Sequence, residues 1–157
     1  MQARVVPADA THISDLVGLY RGLEAELTAL KPIWRLSDGL PEPVEGALAE
    51  IVGDQGWQSY VASIDGVVVG FLLARDEELL PQAEGGRVGS VRFIYTDRDM
   101  REVGVGEAMI RRYLDDARSR GIALFDAHVS PGHRLSKNFF EAHGFKARSI
   151  VMHREEP

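Results

Sequence analysis

Apolar residues recur along this chain with two different periods, and the changes of period mark out its elements. Ile13, Leu16, Leu19, Tyr20, Leu23, Leu27 and Leu30 return every three or four residues, the spacing of one face of a helix, and Asp9 stands where an N-cap belongs. Pro32 ends that helix, since proline has no N–H to continue it. Residues 58–64 and 67–74 are short apolar runs of strand length on either side of Asp65-Gly66. That dipeptide is a hairpin signal, because a type I′ turn needs positive φ at both central positions. The same pattern predicts a first strand at 3–6, a helix over 44–52, a fourth strand over 88–96, a fifth over 122–129, a short helix at 135–142 and a final strand at 146–153. Between the fourth and fifth strands lies a helix from Gly104, with Val105, Ala108, Met109, Leu114 and Ala117 near one face and Gly121 as its stop.

The hairpin demands antiparallel neighbours, whereas the strand-to-helix crossovers around Arg101 and Gly121 favour parallel ones. A mixed α/β sheet is therefore expected. The segment 31–43 reads as a loop, and 75–86, with Arg75-Asp76-Glu77-Glu78, Pro81 and Gly85-Gly86, as a solvated connection. No repeat, low-complexity tract or linker interrupts the pattern, so residues 1–157 are expected to form a single domain.

Composition narrows the functional classes. With 45% hydrophobic and 27% charged residues the chain has ordinary globular composition. It contains 0 cysteines, which excludes disulfides, thiolate metal sites and a cysteine nucleophile, and points to the cytoplasm. No apolar run is long enough for a signal peptide or a membrane span. A net charge of -6 argues against nucleic acid as a partner, while tolerating a cationic amine.

The stretch with the most chemistry is Arg101-Glu102-Val103-Gly104-Val105-Gly106, where a strand meets the N-terminus of a helix. Glycine lets a ligand approach the backbone, and a helix end offers unpaired N–H groups with the positive end of the macrodipole. A phosphate suits such a place. Glu107-Ala108 follows where a P-loop needs Lys and Ser or Thr, and Met109 stands where a dinucleotide fingerprint needs a small residue. On these residues alone a phosphate site and a plain tight turn explain the pattern equally. No metal is expected: the acidic run lacks oriented partners, and His128 with His133 lacks a third ligand.

The RxxGxG run, preceded by Ile94-Tyr95-Thr96, resembles the coenzyme A pyrophosphate loop of the GNAT superfamily of acyl-CoA-dependent N-acyltransferases. A second motif in the same order strengthens the resemblance: Val129-Ser130-Pro131-Gly132-His133 leads to Phe139-Phe140-Glu141-Ala142-His143-Gly144-Phe145, similar to the family's last helix and terminal Gly-Phe. The resemblance implies a mixed, mostly antiparallel sheet of about six or seven strands, splayed between the fourth and fifth, with about four flanking helices. It implies acetyl-CoA as co-substrate. Ile94, Tyr95 and Thr96 would then follow the pantetheine arm, Arg101, Glu102, Val103, Gly104, Val105 and Gly106 the pyrophosphate, with Glu107 closing the turn. Ser136, Phe139 and Phe140 would wall the arm, and Trp34 and Leu36 would line the acceptor pocket.

The family's chemistry is attack of an amine on the acyl thioester, which needs a base, amide donors and an acid. This chain departs from the family at three places: Phe140 stands where a tyrosine acid is usual, Arg92 at a common acidic position on the fourth strand, and His133 where an asparagine is common. His128 matches the position of a carboxylate used by some members, and imidazole titrates in the range suited to a base. His128 is therefore the candidate base, and His133 a proton relay or cofactor contact. The expected function is an N-acetyltransferase acting on a primary amine of a small molecule or of a protein or peptide. The alternatives are a non-catalytic CoA or acyl-CoA binding module, suggested by Phe140, and an interaction domain whose glycine turn binds nothing. Exposed strand edges and the last strand allow a homodimer.

Overall fold

The computed structural model describes residues 2–30, 38–79 and 86–157. Among them the elements are β1 (Arg4–Pro7), α1 (Ile13–Leu30), α2 (Val44–Gly53), β2 (Trp57–Ile64), β3 (Val67–Glu78), β4 (Arg87–Thr96), α3 (Val105–Ser119), β5 (Leu124–Ala127) and α4 (Arg134–Ala142), with 3-10 turns at Ala10–His12 and Arg98–Met100. The sheet is five-stranded in the order β1-β2-β3-β4-β5. Every pair is antiparallel except β4 with β5, which is parallel. The mixed sheet expected from the hairpin and the crossovers is thus observed.

Local chemistry sets the element ends. Asp9 accepts a bond from the Thr11 N–H at 2.9 Å, and its own N–H donates to His12 Nδ1 at 3.0 Å, which starts the turn leading into α1. Asp65 and Gly66 have φ of 51° and 80°, the two positive values the hairpin requires. The strands feed cores on both faces of the sheet, because successive side chains alternate. In β3, Phe71 and Leu73 meet Leu16, Tyr20 and Leu23 of α1 and Leu48 of α2. Leu72 and Ala74 turn the other way, towards Met109, Ile110 and Tyr113 of α3.

The structure corrects three expectations. The acidic run Arg75-Asp76-Glu77-Glu78 is strand, paired from Arg75↔Ser90 to Glu78↔Arg87. Its charge is accommodated because Arg120 binds Asp76 at 2.9 Å and Arg87 stands 3.8 Å away. The fifth strand is shorter than expected, covering Leu124–Ala127. The final strand over 146–153 does not form: these residues are exposed and without assigned structure, so the described sheet has five strands rather than six or seven.

Two irregularities shape the end of the sheet where β4 and β5 part. The β3–β4 register shifts between Leu73 and Ala74, whose partners are Phe93 and Val91, so Arg92 is the extra residue on β4. The β4–β5 ladder ends at Val91↔Ala127, followed by one bond from the His128 N–H to the Val91 carbonyl at 3.0 Å. Beyond that point β4 continues to Thr96 while β5 has ended, and the sheet opens.

Candidate active site

The glycine turn stands at the far end of β4. The Asp97 N–H donates to the Val69 carbonyl at 2.8 Å, and the Asp97 side chain accepts from the Asp99 N–H at 3.0 Å, fixing the exit of the strand. Glu102 (φ 69°) and Gly104 (φ 86°) then take left-handed conformations that swing the chain into α3. Gly104 is the N-cap of α3, and no side chain caps the helix. The first helical bond runs from the Ala108 N–H to the Gly104 carbonyl at 3.0 Å, leaving the N–H groups of Val105, Gly106 and Glu107 without intrahelical acceptors. A Cβ added at Gly104 would meet nothing within 4 Å, so the approach to these donors is open.

The turn faces a cleft of about 310 Å³ between the end of β4 and α4. Ile94, Tyr95 and Thr96 supply one wall, and Arg101, Glu102, Gly104, Val105, Gly106 and Glu107 the end. His133, Ser136 and Phe139 supply the other wall. These are the residues that the sequence pointed to. Val103 and Phe140 lie outside the lining: Val103 is 41% exposed, and Phe140 is 3% exposed in the core, with the rings of Phe139 and Phe145 each 5.2 Å away. His128 is outside it too. Trp34 and Leu36 lie outside the described residues.

Four lining residues were not anticipated: Glu26, Met100, Leu135 and His143. His143 follows Phe139 by one helical turn, lies tilted against its ring at 4.6 Å and places Nδ1 2.9 Å from its carbonyl, so the spacing could have indicated it. Glu26 has no such local signal. It comes from α1, 75 positions before the arginine it binds.

That arginine is Arg101. Its two terminal nitrogens donate to the two carboxylate oxygens of Glu26 at 2.8 and 3.0 Å, and its Nε donates to the Thr96 carbonyl at 3.0 Å. The guanidinium lies 5.3 Å from the centre of the Tyr95 ring. On the other side of Glu26, His133 Nε2 stands 3.9 Å from Oε2. The Arg101 hydrogen bonds hold the Glu26 carboxyl below its ordinary range, and Glu26 in turn raises Arg101. His133 is pushed down, first by burial and then by Arg101, with Glu26 opposing. His128 is pushed down by burial and by Arg92, against Glu77, Asp126 and Asp38. Both imidazoles therefore favour the neutral form, which can accept a proton. Among the described residues no three His, Asp or Glu side chains group closely enough to hold a metal ion.

A bare helix terminus opening on a slot between α4 and the stretch of β4 that outlasts β5 defines the site of this mixed α/β fold. Residues 25–145 match the acetyltransferase (GNAT) family model, and the chain belongs to that family. It is 27% identical over 92 residues to an uncharacterised N-acetyltransferase of Methanocaldococcus jannaschii; the match takes in 59% of this chain and 40% of that protein, well under half its length. In fold it resembles the aminoglycoside N-acetyltransferase AAC(6')-Iy in complex with a CoA bisubstrate analogue, with TM-score 0.75 and 21% identity over 100% of both chains. It also resembles a predicted acetyltransferase of Clostridium acetobutylicum solved with acetyl-CoA, with TM-score 0.75 and 16% identity over 98% of this chain and 96% of that one. Among the described residues no helix is long and apolar enough to cross a membrane.

Proposed function

We propose that the protein is an N-acetyltransferase that moves an acetyl group from acetyl-CoA to a primary amine. The carrying observation is the uncapped N-terminus of α3, opened by Gly104 and facing the cleft where β4 outlasts β5. The fit is favourable: three backbone donors and a helix dipole suit a pyrophosphate, and Ile94, Thr96 and Phe139 suit a partly apolar arm. Bound there, acetyl-CoA would supply the activated acyl group as a thioester.

The chain's own part is positioning and proton handling. Val105, Gly106 and Glu107 hold the phosphates through their N–H groups, and the free edge of β4 after Val91 offers backbone groups to the arm. An amine must lose a proton to become a nucleophile, and His128, outside the lining of the cleft but at the point where β5 departs from β4, accepts it at a ring nitrogen from an amine approaching on that side. His133, at the N-terminus of α4 and on the cleft wall, relays a proton to the departing sulfur side. The acceptor is a small-molecule amine or a protein or peptide amine.

A second reading, a CoA-binding module without turnover, is favoured by one observation: Phe140 carries no dissociable proton and faces the core. Calorimetric titration with acetyl-CoA, with ATP and NAD as controls, tests the binding site. Release of thiol across an amine panel tests turnover, and since the chain has 0 cysteines every thiol detected is CoA. Selective binding with amine-dependent release supports the acetyltransferase reading. Selective binding without release from any amine supports the module, and no binding overturns both.

A further inference from the structure

Glu26 is a largely buried carboxylate in the cleft that this reading assigns to a phosphate, and it is there by construction. Helix α1 approaches the end of β4 so closely at Gly22 that a Cβ there would stand 2.7 Å from the Tyr95 hydroxyl. One turn later Glu26 enters the cleft with only 13% of its side chain exposed. It takes both terminal nitrogens of Arg101, and its Oε2 also faces His133 across the opening. Nε of Arg101 is spent on the Thr96 carbonyl, which leaves the second N–H of each terminal nitrogen beside the carboxylate. Among the described residues, the one guanidinium lining the phosphate end of the cleft is thus already bound to an anion. Glu102 and Glu107 also line that end, and the Glu107 charge is met by Arg111 at 2.7 Å.

Resting on the acyl-CoA reading of this cleft, we propose that Glu26 is an internal competitor for the pyrophosphate. It occupies Arg101 in the free protein, so an incoming phosphate must either take the guanidinium from it, which strands the carboxylate, or share the guanidinium with a like charge. Either way the carboxylate lowers the affinity for every ligand that offers phosphate. Bare phosphates and nucleotides, which bring charge and nothing for the β4 wall, are held off by it. A ligand that adds an arm along Ile94 and Thr96 has the further contacts to displace it. Specificity then comes from an unfavourable element built into the site as well as from the favourable one.

The test is Glu26→Gln, which keeps the shape and removes the charge, titrated calorimetrically with CoA, dephospho-CoA and pantetheine. The variant is expected to bind CoA and dephospho-CoA about tenfold more tightly than the native protein, and pantetheine, which has no phosphate, equally well. Unchanged or weaker CoA binding by Glu26→Gln, or a gain shared by pantetheine, overturns the proposal. Failure of the native protein to bind CoA would instead sink the acyl-CoA reading itself. A melting curve establishes that the variant is folded; should it not be, Glu26→Asp, which keeps the charge but loosens the two-point grip, is expected to show a smaller gain of the same sign.

Discussion

Gly106 on the first turn of α3 lies against the Phe139 ring of α4: a Cβ built at position 106 would stand 3.1 Å from Phe139 Cε1. The two residues are opposite sides of the same cleft, so the width of the slot is set where a glycine meets a ring. Alanine there has two opposed effects on stability. It gains about 0.5–1 kcal/mol of helix preference and loses about 1–3 kcal/mol to crowding, which the partly buried Phe139 ring relieves in part by moving. Gly106→Ala is therefore expected to shift the melting temperature by only a few degrees while weakening acetyl-CoA binding about tenfold. Gly104→Ala should behave in the opposite sense. It meets no atom, but φ of 86° costs a non-glycine residue about 1–2 kcal/mol, so the loss is of stability with the width of the cleft unchanged. Melting curves and calorimetry on the pair check both halves.

The histidines give a pH signature. Burial pushes His128 and His133 below the ordinary value of 6.5. A base works in its neutral form, so kcat/KM should rise with pH through a limb centred below 6.5 and be level at neutrality. His128→Gln is expected to lower kcat by about 10²–10⁴-fold and abolish the limb. His133→Gln, on the cleft wall, is expected to raise KM for acetyl-CoA as well. A native-like rate and pH profile in His128→Gln would remove that residue from the mechanism.

The Glu26–Arg101 pair should show itself in acid stability. The Glu26 carboxyl titrates below its ordinary 4.5 in the folded protein, so the pair's contribution is fully present above that value and is lost as pH falls through the depressed one. The native protein is expected to lose stability between about pH 5 and 3 more steeply than Glu26→Gln. Urea midpoints measured across that range decide it; parallel curves would count against the pair as a stabilising contact.

Most of the sheet and the glycine turn were legible because their signals are local. Asp65-Gly66 needs two positive φ values, and residues 101–106 form a left-handed exit and a helix start within six positions. The extent of β3 was not legible, because Asp76, Glu77 and Glu78 read as solvent. What makes them strand is pairing with Arg87, Val88 and Gly89, together with Arg120 brought over from the end of α3. Glu26 was invisible for a similar reason. Between Leu23 and Leu27 it reads as one charge on the polar side of a helix, and its partner is 75 positions away. Phe140 and Phe139 are adjacent in sequence and equally aromatic, yet only the helix rotation decides that one faces the core and the other the cleft.

That rotation carries a prediction. If Phe140 merely stood in for a missing acid, Phe140→Tyr would restore turnover. With 3% exposure and aromatic neighbours at 5.2 Å, the added hydroxyl enters the core, where an unpaired polar group costs about 1–3 kcal/mol. The variant is expected to melt several degrees lower with no gain in kcat. A faster enzyme would mean that position 140 reaches the reacting groups.

The segment after Phe145 is the last place where pattern and structure part. Ile150, Val151 and Met152 have strand-like composition but are 76%, 88% and 87% exposed, and the tail makes side-chain ion pairs, Arg148 with Asp126 at 2.7 Å and Arg154 with Glu156 at 3.1 Å. Ion pairs of this kind leave the backbone accessible, and an exposed unpaired segment is where proteases cut first. Trypsin is expected to cleave after Lys146, Arg148 or Arg154 well before the rest of the chain. The trimmed protein should melt within a few degrees of the intact one, since the apolar side chains removed are not part of either core. Resistance of these bonds would mean that the tail is covered in solution, and the outer edge of β5 in a homodimer is then the place to look, with sedimentation before and after deletion of residues 147–157 as the measurement.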